Sequence, residues 1–394
     1  MWLAVDLLWV SIFSSDRLRC SLRVDKSCDG GLLAHPCFRR VVFVMGAMLT
    51  FSVPCEAQTI VVDPADERQF ISMMGGDMER SGRNFHQAGN PEDVINWCVR
   101  DIPFNTWRVG YDKTQEMNEG DKNFSVYDSD VLAMKMIREV NPDIKFFATM
   151  ESDYHGYSQG NRNNLPTFIY DYAYVDGEGT GSKTFNAEKY GVFLADYVEY
   201  MEDQGVAIDY ISTSKEWVQV VNPTRAKATI EAMIAELDFR GVTVPQIIDA
   251  CTWSITQGIN TVNNYNANDI TPYVHAFSAH DYWSGETKTW ADFSSAANAA
   301  GKYAYADETG HGGGGLISTG EVAIRSTIGN YVRKAEYYED GIQGECIFEL
   351  WPRGYNEINN NGFYAKPIFF DGGSHAFRMR SYYVMKAFAA GAVD

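Results

Sequence analysis

Carboxyl, imidazole, guanidinium and indole side chains gather at the ends of short apolar runs along this chain. Glu216 closes IDYISTSKE (208–216) and Glu308 closes KYAYADE (302–308). Arg108 and Asp112 lie in WRVGYD (107–112), His280, Tyr282 and Trp283 in SAHDYW (278–283), and Trp351 follows FEL (348–350). If these runs are the strands of one barrel, their ends meet at a common mouth, and Glu216 and Glu308 face each other although far apart in sequence. Two carboxyls about 5–5.5 Å apart suit glycosidic cleavage with retention of configuration: one attacks, and the other donates and then accepts a proton. A single such glutamate reads best as a solvated or salt-bridged surface residue. Two, each after an apolar run and flanked by aromatics, read better as a catalytic pair.

Competing chemistry is weaker. Ser212 and Lys215 form an S-x-x-K pattern, the signature of a lysine-activated serine in acyl hydrolases, but no S-D-N or K-T-G partner exists in the chain. His311 to Gly315 reads HGGGG, like an esterase oxyanion loop, yet there is no G-x-S-x-G elbow. A flexible loop or a close backbone approach to substrate explains it better. The histidines show no H-E-x-x-H or similar spacing, so no metal is expected. His275, inside an apolar run, reads as a core histidine.

These residues need elements to hold them. Strand-like apolar runs occupy 69–75, 104–110, 144–150, 208–214, 245–251, 274–280, 302–307 and 345–350. Helical periodicity fills the gaps. Tyr190, Phe193, Leu194, Tyr197, Val198 and Met201 form one apolar face, and similar faces span 91–100, 129–140, 224–238, 320–338 and 375–389, with weaker ones at 259–268 and 288–300. Eight strand–helix units predict a (β/α)8 TIM barrel, an α/β fold, with a doubly wound sheet as the alternative. The long stretch between Met150 and about Asn186 is rich in Gly, Asn, Asp and Tyr. It follows a strand end, so its aromatics, Tyr154 among them, are expected to wall a cleft.

The 394 residues are 45% hydrophobic, enough for one large barrel. Arg39-Arg40, the apolar run 41–53 and Cys55-Glu56-Ala57 form a secretory signal pattern, which predicts an upstream extension plus signal peptide over 1–57 and a catalytic barrel over 58–394. A secreted, periplasmic or cell-surface location follows. Segment 1–57 holds six of the 33 basic and five of the 52 acidic residues, so 27 basic and 47 acidic remain, a net −20. Such a field repels phosphate backbones and anionic membranes, so neither is an expected partner. Cys98, Cys251 and Cys346 lie beyond the signal, lack metal-ligand spacing and read as buried thiols, with one disulfide as the alternative.

Several segments together resemble glycoside hydrolase family 30, a family of retaining β-glycosidase barrels. QTIVVDPADERQFISMMGGDMERSG (58–82), WRVGYD, ISTSKEW, SAHDYW, YADETG (305–310) and FELWPRG (348–354) follow that family's order over about 58–390. The resemblance implies Glu308 as nucleophile and Glu216 as acid/base, with Arg108 and Tyr282 holding Glu308 ionised. It also implies that His280, Trp283 and Trp351 line the sugar subsite, without cofactor or metal; Asp112, Tyr154, Lys215 and Trp217, near these motifs or in the long loop, are further candidates for contact with a carbohydrate substrate. Two features depart from the family. Relatives carry Asn-Glu at the acid/base, whereas this chain carries Lys215-Glu216. Either strand alternation turns Lys215 away from the mouth, or the chemistry of the sugar subsite is altered. The family's side β-sandwich, built from both chain ends, is expected to be missing or incomplete here. A barrel that binds glycan without cleaving it, and less so a serine acyl hydrolase, are the alternative functions.

Overall fold

The computed structural model describes residues 70–78, 85–102, 104–150, 165–169, 185–216, 222–282, 285–310, 321–348, 350, 367–369 and 375–392. The signal-like segment, Tyr154, Trp217, Trp283, Trp351 and the glycine run 311–315 lie outside them.

Strands and helices alternate along the described chain. The order is β1 (Met73–Asp77), α1 (Pro91–Ile95, running on as a π-helical turn to Arg100), β2 (Thr106–Tyr111), α2 (Asp128–Val140), β3 (Lys145–Met150) and α3 (Ala187–Asp203). It continues through β4 (Tyr210–Ile211), α4 (Pro223–Arg240), β5 (Gln246–Thr252), α5 (Ile255–Ala267), β6 (Val274–Ala279) and α6 (Trp290–Ala299). Then come β7 (Tyr303–Gly310), α7 (Glu321–Glu339), β8 (Gly344–Phe348), a small antiparallel pair β9 (Ile368–Phe369) and β10 (Phe377–Arg378), and α8 (Arg380–Ala392). Strands β1 to β8 pair in parallel with their sequence neighbours, and β8 returns to β1. The closed barrel rules out the doubly wound alternative. Among the described residues no helix is long and apolar enough to cross a membrane.

Burial explains why the strands lack polar alternation. One apolar cluster fills the barrel interior, with Met73, Phe147, Tyr210, Ile248, Cys251, Ala276, Tyr305 and Cys346. A larger one lies between strands and helices, and every predicted face residue of α3 is buried in it. The two layers make each strand apolar on both faces. Local signals set the helix ends. Asn222 caps α4 by accepting from Arg225 N, Pro223 occupies its first turn, and Gly241 ends it in the left-handed conformation at φ 72°. A Cβ on Gly191 would lie 2.6 Å from Ala232 Cβ and 2.7 Å from Met233 N, so glycine lets α3 and α4 pack this closely.

Two register irregularities matter for the site. On β7, Ala306 pairs with Glu345 but Thr309 pairs with Ile347, so β7 carries one extra residue around Asp307-Glu308. On β5, Asp249 pairs with Phe277 and Thr252 with Ala279, again one extra residue, and Cys251 there has φ 48°. Such bulges re-aim side chains that alternation would send to opposite faces. The fourth strand is shorter than 208–214. Only Tyr210 and Ile211 pair on both sides, and the chain then leaves regular strand geometry until Glu216 forms an isolated parallel bridge to Thr252.

Cys98, Cys251 and Cys346 are free and buried. His275 is half-buried, with its ring against Tyr210, Tyr303 and Tyr305. It borders a cavity of about 570 Å³ among the starts of β5 to β8, at the barrel end opposite Glu216 and Glu308.

Candidate active site

The register of β1 and β2 sets Asp77 beside Arg108, and the pairing becomes chemical. Arg108 Nη1 donates to Asp77 Oδ2 at 2.8 Å and to Glu308 Oε2 at 2.7 Å, while its Nε donates to Thr149 Oγ1 at 3.1 Å. Arg108, Asp77 and Thr149 are all completely buried. The bulge in β7 brings both Asp307 and Glu308 to this cation: Asp307 Oδ2 stands 4.0 Å from Arg108 Nη2.

Glu308 has a second donor, Tyr282, whose hydroxyl reaches Oε1 at 3.0 Å. Burial opposes its charge, but Lys215, His280 and Arg108 outweigh burial and hold the carboxyl well below the usual glutamate range. Burial and the facing Glu308 and Glu216 push the Tyr282 phenol up, so it stays a neutral donor.

Glu216 arrives from the loop after β4. Its backbone takes φ 51°, unusual for a residue with a Cβ, and its N–H donates to Cys251 O at 2.7 Å. Strain of this kind persists only where surroundings hold it. Here Asp249 of β5 does so. Its Oδ1 accepts from Ser212 Oγ at 2.7 Å and Thr213 N at 3.1 Å, and its Oδ2 from Thr213 Oγ1 at 2.9 Å and Tyr265 OH at 2.5 Å. Tyr111 and Tyr190 donate to the carbonyls of Ser212 and Thr213.

His280 joins the two glutamates. Nδ1 lies 3.1 Å from Glu216 Oε1, and Nε2 lies 3.4 Å from Asp307 Oδ1 and 3.8 Å from Glu308 Oε2. Burial works against a charged ring, yet Asp307 and Glu308 outweigh it and raise the pKa to about 10. The ring is therefore an imidazolium at neutral pH, and Nδ1–H donates to Glu216. Asp307 is correspondingly lowered: burial opposes the shift, and His280 and Arg108 overcome it.

Lys215 does not point away from the mouth. It is completely buried, and Nζ lies 3.6 Å from Glu308 Oε2. Alternation misleads here because regular strand geometry ends at Ile211, so Lys215 and Glu216 both reach the same cluster. The S-x-x-K reading fails on the same geometry: Ser212 Oγ donates its one proton to Asp249, with Ser214 O also 2.5 Å away, and Lys215 faces a carboxylate.

Glu216, His280 and Glu308 each offer a ligand atom, all within 4.8 Å of one another, a spacing that could suit a cation. Their surroundings do not fit one. Arg108 and Lys215 already stand at Glu308 Oε2, and His280 would have to lose the proton that its acidic neighbours stabilise. What the geometry offers is two carboxylates in different environments. Glu308 is held ionised by cations, and Glu216, only 3% exposed, sits on a strained loop beside a charged donor.

The structure thus brings together Arg108, Lys215, Glu216, His280, Tyr282 and Glu308 of the predicted set. Asp112 instead caps the short turn Lys113–Gln115, its carboxylate accepting from Thr114 N and Oγ1 at 2.7 Å each. Tyr154, Trp217, Trp283 and Trp351 lie outside the described residues. Asp77, Asp249 and Asp307 are structural parts of the site that sequence reasoning gave no role. Asp249 had one visible signal, a lone acid inside the apolar run IIDAC.

No protein-family model matches this chain, and no curated protein matches it. Solved structures do. An endo-β-1,6-glucanase superposes with TM-score 0.64 at 12% identity, over 83% of this chain and 78% of its own. SrfJ from Salmonella typhimurium gives 0.61 at 15% identity, over 82% and 75%. The catalytic domain of the GH30 xylanase C from Talaromyces cellulolyticus gives 0.57 at 12%, over 83% and 77%. At these identities the likeness speaks for architecture: the chain has the (β/α)8 barrel fold found in these structures.

Proposed function

We propose that this protein is a retaining O-glycosyl hydrolase that cleaves a β-linked oligo- or polysaccharide with Glu308 and Glu216. One observation carries the reading: oxygens of the two carboxyls lie within 4.8 Å of each other, at the end of the barrel where βα loops build active sites. That separation suits direct attack, and leaves too little room for the water that an inverting enzyme holds between its carboxyls. Glu308, kept ionised by Arg108, Lys215 and His280, attacks the anomeric carbon. Glu216 gives its proton to the departing glycosidic oxygen. A covalent glycosyl ester forms on Glu308. Glu216, now a carboxylate, takes a proton from water, which attacks the same carbon from the opposite face and releases Glu308.

The cluster of Asp77, Arg108, Asp307 and Tyr282 makes sense in this reading, since it holds one carboxylate in fixed charge and orientation before substrate arrives. The net negative charge of the chain favours neutral glycans over strongly anionic ones. Its structural neighbours include a β-1,6-glucanase, a xylanase and a β-1,4-mannosidase, which frame the substrates to try first. The basic and apolar segment at 39–57 supports export to where such glycans lie.

The test is digestion of a β-glycan panel, followed by trapping with 2-fluoro-glycosides and mass spectrometry of the labelled peptide. Product with retained configuration and a label on Glu308 are expected. Glycan binding without product over long incubation would favour the binding-only barrel, and a label elsewhere would overturn the assignment of Glu308.

A further inference from the structure

Alternation along β7 is regular up to Asp307. Ala304 and Ala306 pack between strands and helices, Tyr305 fills the barrel interior, and Asp307 turns inward to Arg108. An uninterrupted strand would then send Glu308 out toward α7 and Thr309 in. The bulge reverses both: Glu308 reaches Arg108, and Thr309 faces α7. There Thr309 meets a buried ion pair that the reaction does not use. Lys334 Nζ, from α7, donates to Glu345 Oε2 of β8 at 3.0 Å, and Tyr338, one helical turn further on, donates to Glu345 Oε1 at 2.9 Å. Lys334 and Glu345 are 2% and 1% exposed. The other two protons of Lys334 go to Thr309, one to Oγ1 and one to the carbonyl at 3.4 Å. Thr309 Oγ1 in turn donates to Glu345 Oε2 at 2.9 Å, with Cys346 O at 3.2 Å as its other acceptor. Glu345 thus pairs through its backbone with Ala306, before the bulge, and through its carboxylate with Thr309, after it.

We propose that Thr309, Lys334 and Glu345 form a clasp that selects the bulged register of β7 and so positions Glu308 for attack. They are positioning residues and touch no reacting atom; the role of Glu308 as nucleophile rests on the glycosidase reading above. Only the bulged register lets the clasp close. If the extra residue slipped out of β7, Thr309 would turn into the barrel, out of reach of α7, and Glu308 would swing away from Arg108 and Tyr282. Lys334 would then keep Glu345 and lose its two acceptors on Thr309, and a buried donor without an acceptor is costly. A pair that served only to fasten α7 to the barrel could do so through Lys334, Glu345 and Tyr338, without the Thr309 hydroxyl.

The hydroxyl is therefore the group to remove. T309V keeps the side-chain shape, changes no charge and leaves Lys334, Glu345 and Tyr338 bonded to one another. T309S keeps the hydroxyl. Two readouts are taken on the full chain, beside a melting curve. The first needs no turnover: the midpoint of the Glu308 carboxyl in a carbon-13 NMR titration, with its signal assigned from E308Q. Loosened from Arg108, Tyr282, Lys215 and His280, Glu308 should titrate about one pH unit higher in T309V. Since T309V removes no charge, such a shift reports position. The second readout is the rate at which 2,4-dinitrophenyl 2-deoxy-2-fluoro-β-glycosides of glucose and xylose label Glu308. It should fall roughly tenfold to a hundredfold, as a misplacement of about 1 Å does, with the inhibition constant little changed. T309S should restore both. A folded T309V with the wild-type midpoint and labelling rate would overturn the proposal, even if it melts lower. Should T309V not fold, K334M/E345M decides by the same criteria, because it deletes the clasp without orphaning a charge. The glycosidase reading is judged instead on labelling of the wild type at Glu308. The midpoint is read whether or not a label forms, so the two failures are distinct.

Discussion

His280 and Asp307 face each other at 3.4 Å, both shut off from solvent, and the ring keeps its proton up to a pKa of about 10 from an ordinary value of 6.5. A pKa raised by folding means that the folded state binds the proton more tightly than the unfolded chain. The stabilisation is complete below pH 6.5 and is lost as pH rises toward 10. The melting temperature of the wild-type protein should therefore fall over that window. His280→Asn should melt lower at pH 6 and show a flatter profile, measured by thermal denaturation from pH 6 to 10. A His280→Asn profile as steep as wild type would remove His280 as the cause.

Tyr282→Phe removes one donor from Glu308 Oε1 and leaves Arg108 in place. A hydrogen bond to a charged group contributes about 1.5–3 kcal/mol, so kcat/KM should fall roughly tenfold to a hundredfold. Because an apolar ring still fills the site, the melting temperature should change little. Steady-state kinetics beside a melting curve separates the two effects.

Arg108→Met should do more damage. It strips the cation from Asp77 and Glu308 at once, and Asp77 is completely buried. Breaking a buried ion pair by deleting one partner costs on the order of 3–5 kcal/mol. A variant that is poorly folded in urea titration is expected, and partial recovery in Arg108→Met/Asp77→Asn would trace the loss to the orphaned carboxylate.

A fluorophosphonate should leave Ser212 unlabelled, since its hydroxyl is buried and donates to Asp249. Likewise, burial pushes the thiols of Cys98, Cys251 and Cys346 up, which suppresses the reactive thiolate. Peptides bearing these cysteines should resist iodoacetamide in the native protein and react after denaturation. Peptide mass spectrometry reads both outcomes, and rapid native alkylation would show that the barrel opens.

The barrel was legible because its signals are redundant. Each strand is apolar on both faces, and α3 buries every residue that its periodicity marked. Six of the predicted site residues converge because strand ends in a barrel must. What stayed hidden depends on single extra residues. Nothing in YADETG announces that Asp307 and Glu308 turn the same way, because a bulge is fixed by pairing with β8 rather than by local sequence. Lys215 was misplaced in one of its two readings for a related reason: alternation holds only while a strand pairs on both sides, and β4 pairs through two residues. Asp112 drew attention as a polar residue at a strand end, yet its short side chain is used by its own turn.

The Asp249 clamp has a consequence for how such a barrel can be recombined. The segment carrying Glu216 follows β4 in sequence, but its shape is written on β5, through Asp249 and the Cys251 carbonyl. A chimera joined between residues 222 and 245 would keep the acid/base glutamate and lose the template that bends its backbone. The portable unit is the β4–β5 pair, so exchange of whole catalytic segments between related barrels should succeed at breakpoints after Thr252 and fail within the fourth crossover.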